Sequence, residues 1–351
     1  MSDEQKVIVA YKAFNKDLTC RNFQYEIGKS YEHEGKVKAC ESGFHAVENP
    51  LDMFSYYDLT DSRFCSVEMS GEIARHGEDS KIAAGRIAIK VEIGLPQIIT
   101  DAVRWIMDLC KDVKTNDESV QSASGNSSQL AASGNSSKLA ASGNSSKLAA
   151  SGDSSQLAAS GHYSQLAASG HYSKLAASGD SSQLAASGNS SKLAASGNYS
   201  QLAASGHYSQ LAASGDSSQL AASGHYSQLA ASGHYSQLAA SGDYSKLAAS
   251  GNSSKLAASG NYSQLAASGY YSKLAASGDS SQLAASGKKS IVMAAAAGCT
   301  AKVGEDGCIA LAWWDSSAER FRVAVGYVGE DGIEADFEYR VRDGKLARVK
   351  E

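Results

Sequence analysis

A leucine recurs every nine residues from Leu130 to Leu283 and never leaves that phase. It is the fixed point of a unit written Ser-Gly-X-Z-Ser-B-Leu-Ala-Ala, present eighteen times between Ser124 and Ala285. With the positions lettered a to i, X is Asn, Asp, His or once Tyr, Z is Ser or Tyr, and B is Gln or Lys. Self-similarity at one fixed period dictates a repeat architecture. A disordered Ser/Gly/Ala linker has no need to hold a leucine in phase. A continuous helix would carry a glycine in every nine residues, each costing about 1 kcal/mol in a helix interior.

What remains is a mainly β fold, a parallel β-solenoid. Positions a to c read as a turn, with Gly supplying positive φ and Asn or Asp tolerating it. Positions d to i read as a short strand, with Ser e, Leu g and Ala i on one face and d, f and h on the other. Positions e, g and i are constant while d and f vary, which puts the first set in a core and the second in water. Nine residues are few for closing a coil, so two repeats, eighteen residues, make one turn. Nine such coils at roughly 4.7–4.9 Å give a rod of about 40 Å carrying two parallel sheets. Position h also faces outward yet is always Ala, which fits a strip against which another surface lies.

The coil sorts the tyrosines at position d into two columns. Tyr163, Tyr199, Tyr235 and Tyr271 alternate with Ser181, Ser217 and Ser253, while Tyr172, Tyr208, Tyr226, Tyr244 and Tyr262 form the second column. His162, His171, His207, His225 and His234 each precede a tyrosine. His-Tyr pairs suit stacking on sugar rings or bases, or an aromatic protein-binding face. The plainer reading is that stacked Asn, His and Tyr stabilise neighbouring coils. Only His207 and His225 are neighbours in one column, so no metal is expected there. Within the repeats seven Lys offset five Asp, which argues against mimicry of DNA.

At 351 residues the chain has room for two or three domains. Residues 1–113 read as an α+β domain, 114–123 as a polar connector, 124–290 as the solenoid, and 291–351 as a β-rich cap. A formal charge of −5 disfavours nucleic acid and acidic membranes as partners. The start MSDEQK is polar, and no apolar run is long enough for a membrane span. Six cysteines without a CxxC or CxxH pair argue against zinc and disulfides, so a reduced, cytoplasmic protein without cofactors is expected.

In the amino-terminal part, VIVAYKAF, FQYEIGKSY, RFCSVEMSGEI and GRIAIKVEI carry β patterns. NPLDMFSYY predicts a short helix with Asn49 as its cap and Pro50 at its first position. A second helix is expected over Pro96–Val113, where Val103, Ile106, Met107, Cys110 and Val113 form an apolar stripe suited to covering the first coil. Beyond the repeats, Ile291, Val292 and Met293 are expected to thicken the core. VGEDG occurs twice, at Val303 and Val328, and reads as a hairpin turn with Gly at positive φ. Trp313, Trp314, Phe321 and Tyr327 supply more apolar surface than a small cap needs, which predicts a homodimer face.

The segments AYKAFNKDLTC and CESGFHAVENPLD resemble a family of uncharacterised bacteriophage and prophage proteins. These share a YKAF…C…GFHA…NPLD…YY domain, and some carry AASG-type repeats behind it. The resemblance covers residues 7–110 and the repeat style; it implies a phage or prophage origin and no particular activity. The YKAF and GFHA strands before a helix also resemble ADP-ribosyltransferase-like folds, with Tyr11, Lys12, His45 and Glu68 as polar candidates but no complete triad. The repeats distantly resemble the calcium β-roll, whose paired Gly and regular Asp they lack, and bacterial ice-nucleation solenoids. The expectation is a non-enzymatic, phage-encoded binding protein. Its ladders would meet a protein partner, a host or antiviral-defence factor. A virion rod, an ice- or glycan-binding solenoid, and an amino-terminal transferase are the alternatives.

Overall fold

The computed structural model describes residues 7–57, 62–75, 80–94, 97–98, 101–102, 104–105 and 120–349. The chain divides into two compact units, residues 1–109 and 110–351. Among the described residues no helix is long and apolar enough to cross a membrane.

The first unit contains β1 (Ile8–Asn15), β2 (Thr19–Cys20), β3 (Phe23–Gln24), β4 (Ser30–Glu32), β5 (Phe44–Val47), β6 (Ser62–Arg75) and β7 (Lys81–Glu92). Strand β1 pairs with β5 and β6, and β7 pairs with the same two, so four antiparallel strands close into a ring. Strand β4 continues alongside the second half of β7. So small a ring needs bent strands. Register shifts at Ser66/Val67 and Ser70/Ile73 supply the bend, the second beside Gly71 at φ +82°. Alternate residues fill the interior, among them Ala10, Phe14, Val67, Met69, Ile87 and Ile89.

The predicted NPLD helix is present as a 3-10 helix, Pro50–Ser55. Asn49 Oδ1 caps it by accepting the Leu51 N–H at 3.2 Å. Of the second predicted helix, Gln97, Ile98, Asp101, Ala102, Arg104 and Trp105 are helical. The stripe residues Val103, Ile106, Met107, Cys110 and Val113, and with them the covering role expected of that helix, lie outside the described residues.

The second unit is a parallel β-solenoid. Strand β8 (Val120–Ala123) opens it, and eighteen strands from β9 (Gln129–Ala132) to β26 (Gln282–Ala285) follow, one per nonapeptide. Then come β27 (Ile291–Ala294), β28 (Thr300–Val303) and β29 (Cys308–Asp315). Each strand pairs in parallel with the strand eighteen residues on, seventeen at the last step from β27 to β29, so Leu184 lies between Leu166 and Leu202. Even-numbered strands form one sheet and odd-numbered strands the other, eleven parallel strands in each. The ladder therefore takes in β8, from the stretch that reads as a connector, and β27 to β29, from the stretch that reads as a cap. Strand β30 (Arg320–Tyr327) turns back antiparallel on β29, and β31 (Glu338–Arg342) with β32 (Lys345–Arg348) does the same beyond β28.

Leu g and Ala i point inward as predicted and build a thin core, with Ser e buried just ahead of each strand from Ser137 on. Burying each leucine contributes roughly 1.5–3 kcal/mol. The strand itself is shorter than the alternation implies, covering only positions f to i. Position d belongs to the turn, where it takes a left-handed φ of 55–63° in every repeat. Glycine b, expected to carry the positive φ, does not. A Cβ on Gly143 would lie 2.2 Å from the Gly125 carbonyl oxygen, so b must be glycine because successive turns touch there. The left-handed turn costs roughly 1–2 kcal/mol at a non-glycine residue. Two hydrogen bonds offset it: Tyr208 N–H to the His225 carbonyl one coil on, 2.9 Å, and Ser209 Oγ to Gly206 O within the turn, 2.7 Å.

Three further expectations change. The first VGEDG is a solenoid turn, with Asp306 at φ +57° in the d role and the Glu305 carbonyl accepting Lys289 N–H at 2.9 Å. The second is a loop leaving β30, with Gly329 and Gly332 at positive φ. Of the three residues expected to thicken the core only Val292 enters it; Ile291 and Met293 face outward. The outward alanine row is closed to solvent from Ala149 to Ala221 on the odd sheet and open at Ala158 and Ala176 on the even one.

Candidate functional site

The variable residues c and d sit on the turns, along the two edges where the sheets meet, and not on the sheet faces. From Asn126 to Asn261 the side chain at c accepts the backbone N–H of the c residue one coil on. Asn189 Oδ1 takes it from His207 at 2.8 Å, His207 Nδ1 from His225 at 3.0 Å, and His225 Nδ1 from Asp243 at 2.9 Å. Asn, Asp and His share this acceptor close to the backbone, which explains the choice of residues at X better than turn tolerance does. His162, His171 and His234 make the same bond. A neutral ring that accepts at Nδ1 carries its hydrogen on Nε2.

On the edge before the even strands, Tyr208, Tyr226, Tyr244 and Tyr262 stack with centroids 5.0 Å apart and planes within 8°. His207 and His225 stack beside them at 5.1 Å. Tyr172 stands apart between Ser154 and Ser190. Stacking takes ring faces out of solvent: Tyr226 and Tyr244 are 44% exposed, against 63% for Tyr172. The column thus presents hydroxyls and ring edges, a surface suited to protein contact more than to stacking on sugars or bases. On the opposite edge Tyr163, Tyr199 and Tyr235 have serines above and below, at Ser145, Ser181, Ser217 and Ser253, while Tyr271 has Ser253 on one side and Lys289 on the other, its Nζ 5.8 Å from the ring centroid.

The cap residues separate. Trp314, Phe321 and Tyr327 lie exposed on the outer face of the odd sheet, with Trp314 and Phe321 paired across β29 and β30 at 5.1 Å between rings. Val323, Val325 and Met293 join them in one apolar patch, which the alternation in RFRVAVGY signals. Trp313 points the other way, its ring packed against Gly344 so closely that a Cβ there would lie 2.9 Å from it.

In the first unit, Lys12 is buried, its Nζ donating to the His45 carbonyl at 2.9 Å and lying 3.6 Å from Cys20 Sγ. Cys20 Sγ in turn is 2.9 Å from Tyr57 Oη. Burial holds the Lys12 ammonium below its ordinary range and pushes the Tyr57 phenol up, the latter helped by its bond to Cys20. Burial also lowers His45, with the Lys12 charge adding to it. His45 Nε2 is buried and has no hydrogen-bond partner among the described residues. The other two residues grouped with these in the transferase reading lie elsewhere: Glu68 pairs with Lys90 at 3.1 Å on the surface, and Tyr11 interacts with Asp101, which helps burial raise it to about 12. Sequence reasoning missed Cys20 and Tyr57, which only the folded chain brings to Lys12. Among the described residues no three His, Cys, Asp or Glu side chains gather as a metal site requires.

Residues 8–101 match a family whose description is a domain of unknown function, DUF7666. The match covers the closed-ring unit and stops short of the solenoid. No curated protein and no solved structure matches the chain.

Proposed function

We propose that this is a non-enzymatic binding protein that works in the bacterial cytoplasm and holds its solenoid ladders against a macromolecular partner. The observation that carries the reading is the Tyr208–Tyr226–Tyr244–Tyr262 column. Four phenols stand at a fixed 5.0 Å spacing on turns that are themselves hydrogen-bonded from coil to coil. A surface so ordered before binding loses little conformational entropy when a partner arrives. Tyr and its neighbouring His offer donors and acceptors along a narrow ridge, a chemistry suited to a protein surface. The resemblance of the amino-terminal domain to phage and prophage proteins directs the search to host proteins, antiviral-defence factors among them. The apolar cap patch around Phe321 supports association of the protein with itself.

The test compares capture from host lysate by the natural chain and by a Tyr208→Ser, Tyr226→Ser, Tyr244→Ser variant. Serine already stands at d in other coils, so the variant keeps the fold. A protein held by the natural chain and lost by the variant supports the reading. A partner held equally by both, or none held by either, overturns it.

A further inference from the structure

We infer that the edge bearing Tyr163, Tyr199, Tyr235 and Tyr271 pairs with the same edge of a second copy of this chain, antiparallel, each tyrosine entering a serine gap of the other. This does not rest on the partner proposed for the opposite edge.

The gaps have the size of the missing ring. Consecutive tyrosines on this edge are two coils apart, about 10 Å at the spacing of β-strands. One inserted ring would leave about 5 Å on each side, and 5.0 Å is the spacing at which Tyr226 stacks on Tyr208 and Tyr244 across the rod. The chain thus displays on one edge the finished form of what the other edge has half of. Exposure records the difference: Tyr163, Tyr199 and Tyr235 are each 64% exposed, while the two central rings of the finished column are 44% exposed.

A two-fold axis between Tyr199 and Ser217 fills all the gaps together. It sets Tyr163 against the second copy's Ser253, Tyr199 against Ser217, Tyr235 against Ser181, and Tyr271 against Ser145. A shift by one coil sets tyrosine against tyrosine. A shift by two coils either brings Lys289 opposite Tyr163 or leaves Tyr271 without its serine. The same axis aligns the c residues favourably. Asp180 meets His234 twice, and His234, whose Nδ1 is engaged by Asn252 N–H at 2.9 Å, has its Nε2 hydrogen to offer a carboxylate. Asn198 meets Asp216, an amide donor against an acceptor. The contact is self-complementary and closed, as a two-fold dimer requires.

The test measures the association state of the full chain by sedimentation equilibrium. The natural sequence is studied beside a Phe321→Ser, Val323→Ser background, so that pairing through the cap is read separately. In both, the edge dimer is expected to weaken at least tenfold on Tyr199→Ser, Tyr235→Ser. It should weaken equally on Ser181→Tyr, Ser217→Tyr, which adds apolar surface but fills the gaps. That second variant should keep its circular dichroism and melting temperature, because the opposite edge already carries four consecutive tyrosines. A monomeric background protein, or a gap-filled variant that associates as strongly as its parent, overturns the inference.

Discussion

Gly188 lies over Gly170 so closely that a methyl group added to it would sit 2.2 Å from the Gly170 carbonyl oxygen and 2.4 Å from the carbonyl carbon. No side-chain rotation relieves that contact, because both partners are main chain. Gly188→Ala should therefore push two coils apart and cost about 2–4 kcal/mol, in the upper part of the range for point substitutions. Chemical denaturation checks this. A variant as stable as the natural chain would show that the turns can separate freely.

Leu211 is 2% exposed and touches the leucines of the coils above and below. Leu211→Ala is expected to cost about 2–5 kcal/mol, the range for cavities in a close-packed core. The urea midpoint should fall with no change of slope, since the surface exposed on unfolding barely alters.

The acceptor at c makes its own prediction. His225→Asn keeps an acceptor for the Asp243 N–H and should leave stability nearly unchanged. His225→Leu removes it and should cost about 1–2 kcal/mol, as for other hydrogen bonds lost from a donor with no replacement. Equal melting temperatures for the two variants would show that water replaces the ladder bond.

Asp315 anchors the turn between β29 and β30. Its Oδ1 accepts from Ser317 Oγ at 2.6 Å and Ser317 N–H at 3.0 Å, and its Oδ2 from Arg322 Nε at 2.6 Å. The Ser317 bonds first, and Arg322 second, hold its pKa down at about 2 against an ordinary 3.8. A carboxyl depressed by folding stabilises the fold above its unfolded value, and that contribution fades as the pH falls from 3.8 towards 2. Asp315→Asn should accordingly lower the melting temperature near neutrality and match the natural chain at the acid end. A difference independent of pH would assign the effect to packing alone.

Much of the second unit was legible because one period controls it. The unbroken phase of Leu g and Ala i fixed the inward face, and the eighteen-residue coil followed from the shortness of one unit. The roles of Gly and Tyr were not legible, for a physical reason. Glycine serves both where φ is positive and where a Cβ has no room, and the letter is the same; here the second use applies. Tyrosine rarely adopts a left-handed φ, so placing d on a strand was natural until the bond from Tyr208 N–H to the next coil showed what holds the turn. The Trp313–Trp314 pair reads as one feature in sequence, but strand alternation sends the two rings to opposite sides. In the first unit, Lys12, Cys20 and Tyr57 meet because the two-residue strand β2 and the chain leaving the 3-10 helix come to β1, and elements so short carry no periodic pattern to announce them.

The two-sheet coil also governs how a gene for such a chain can change length. Gain or loss of a single nine-residue unit by replication slippage would move every downstream strand to the other sheet. The stacked and the interrupted tyrosine columns would then exchange edges partway along the rod. Slippage by eighteen residues keeps the edges but breaks the tyrosine–serine alternation by one step, whereas thirty-six residues preserve both. Length variants that keep both surfaces should therefore differ by multiples of thirty-six codons.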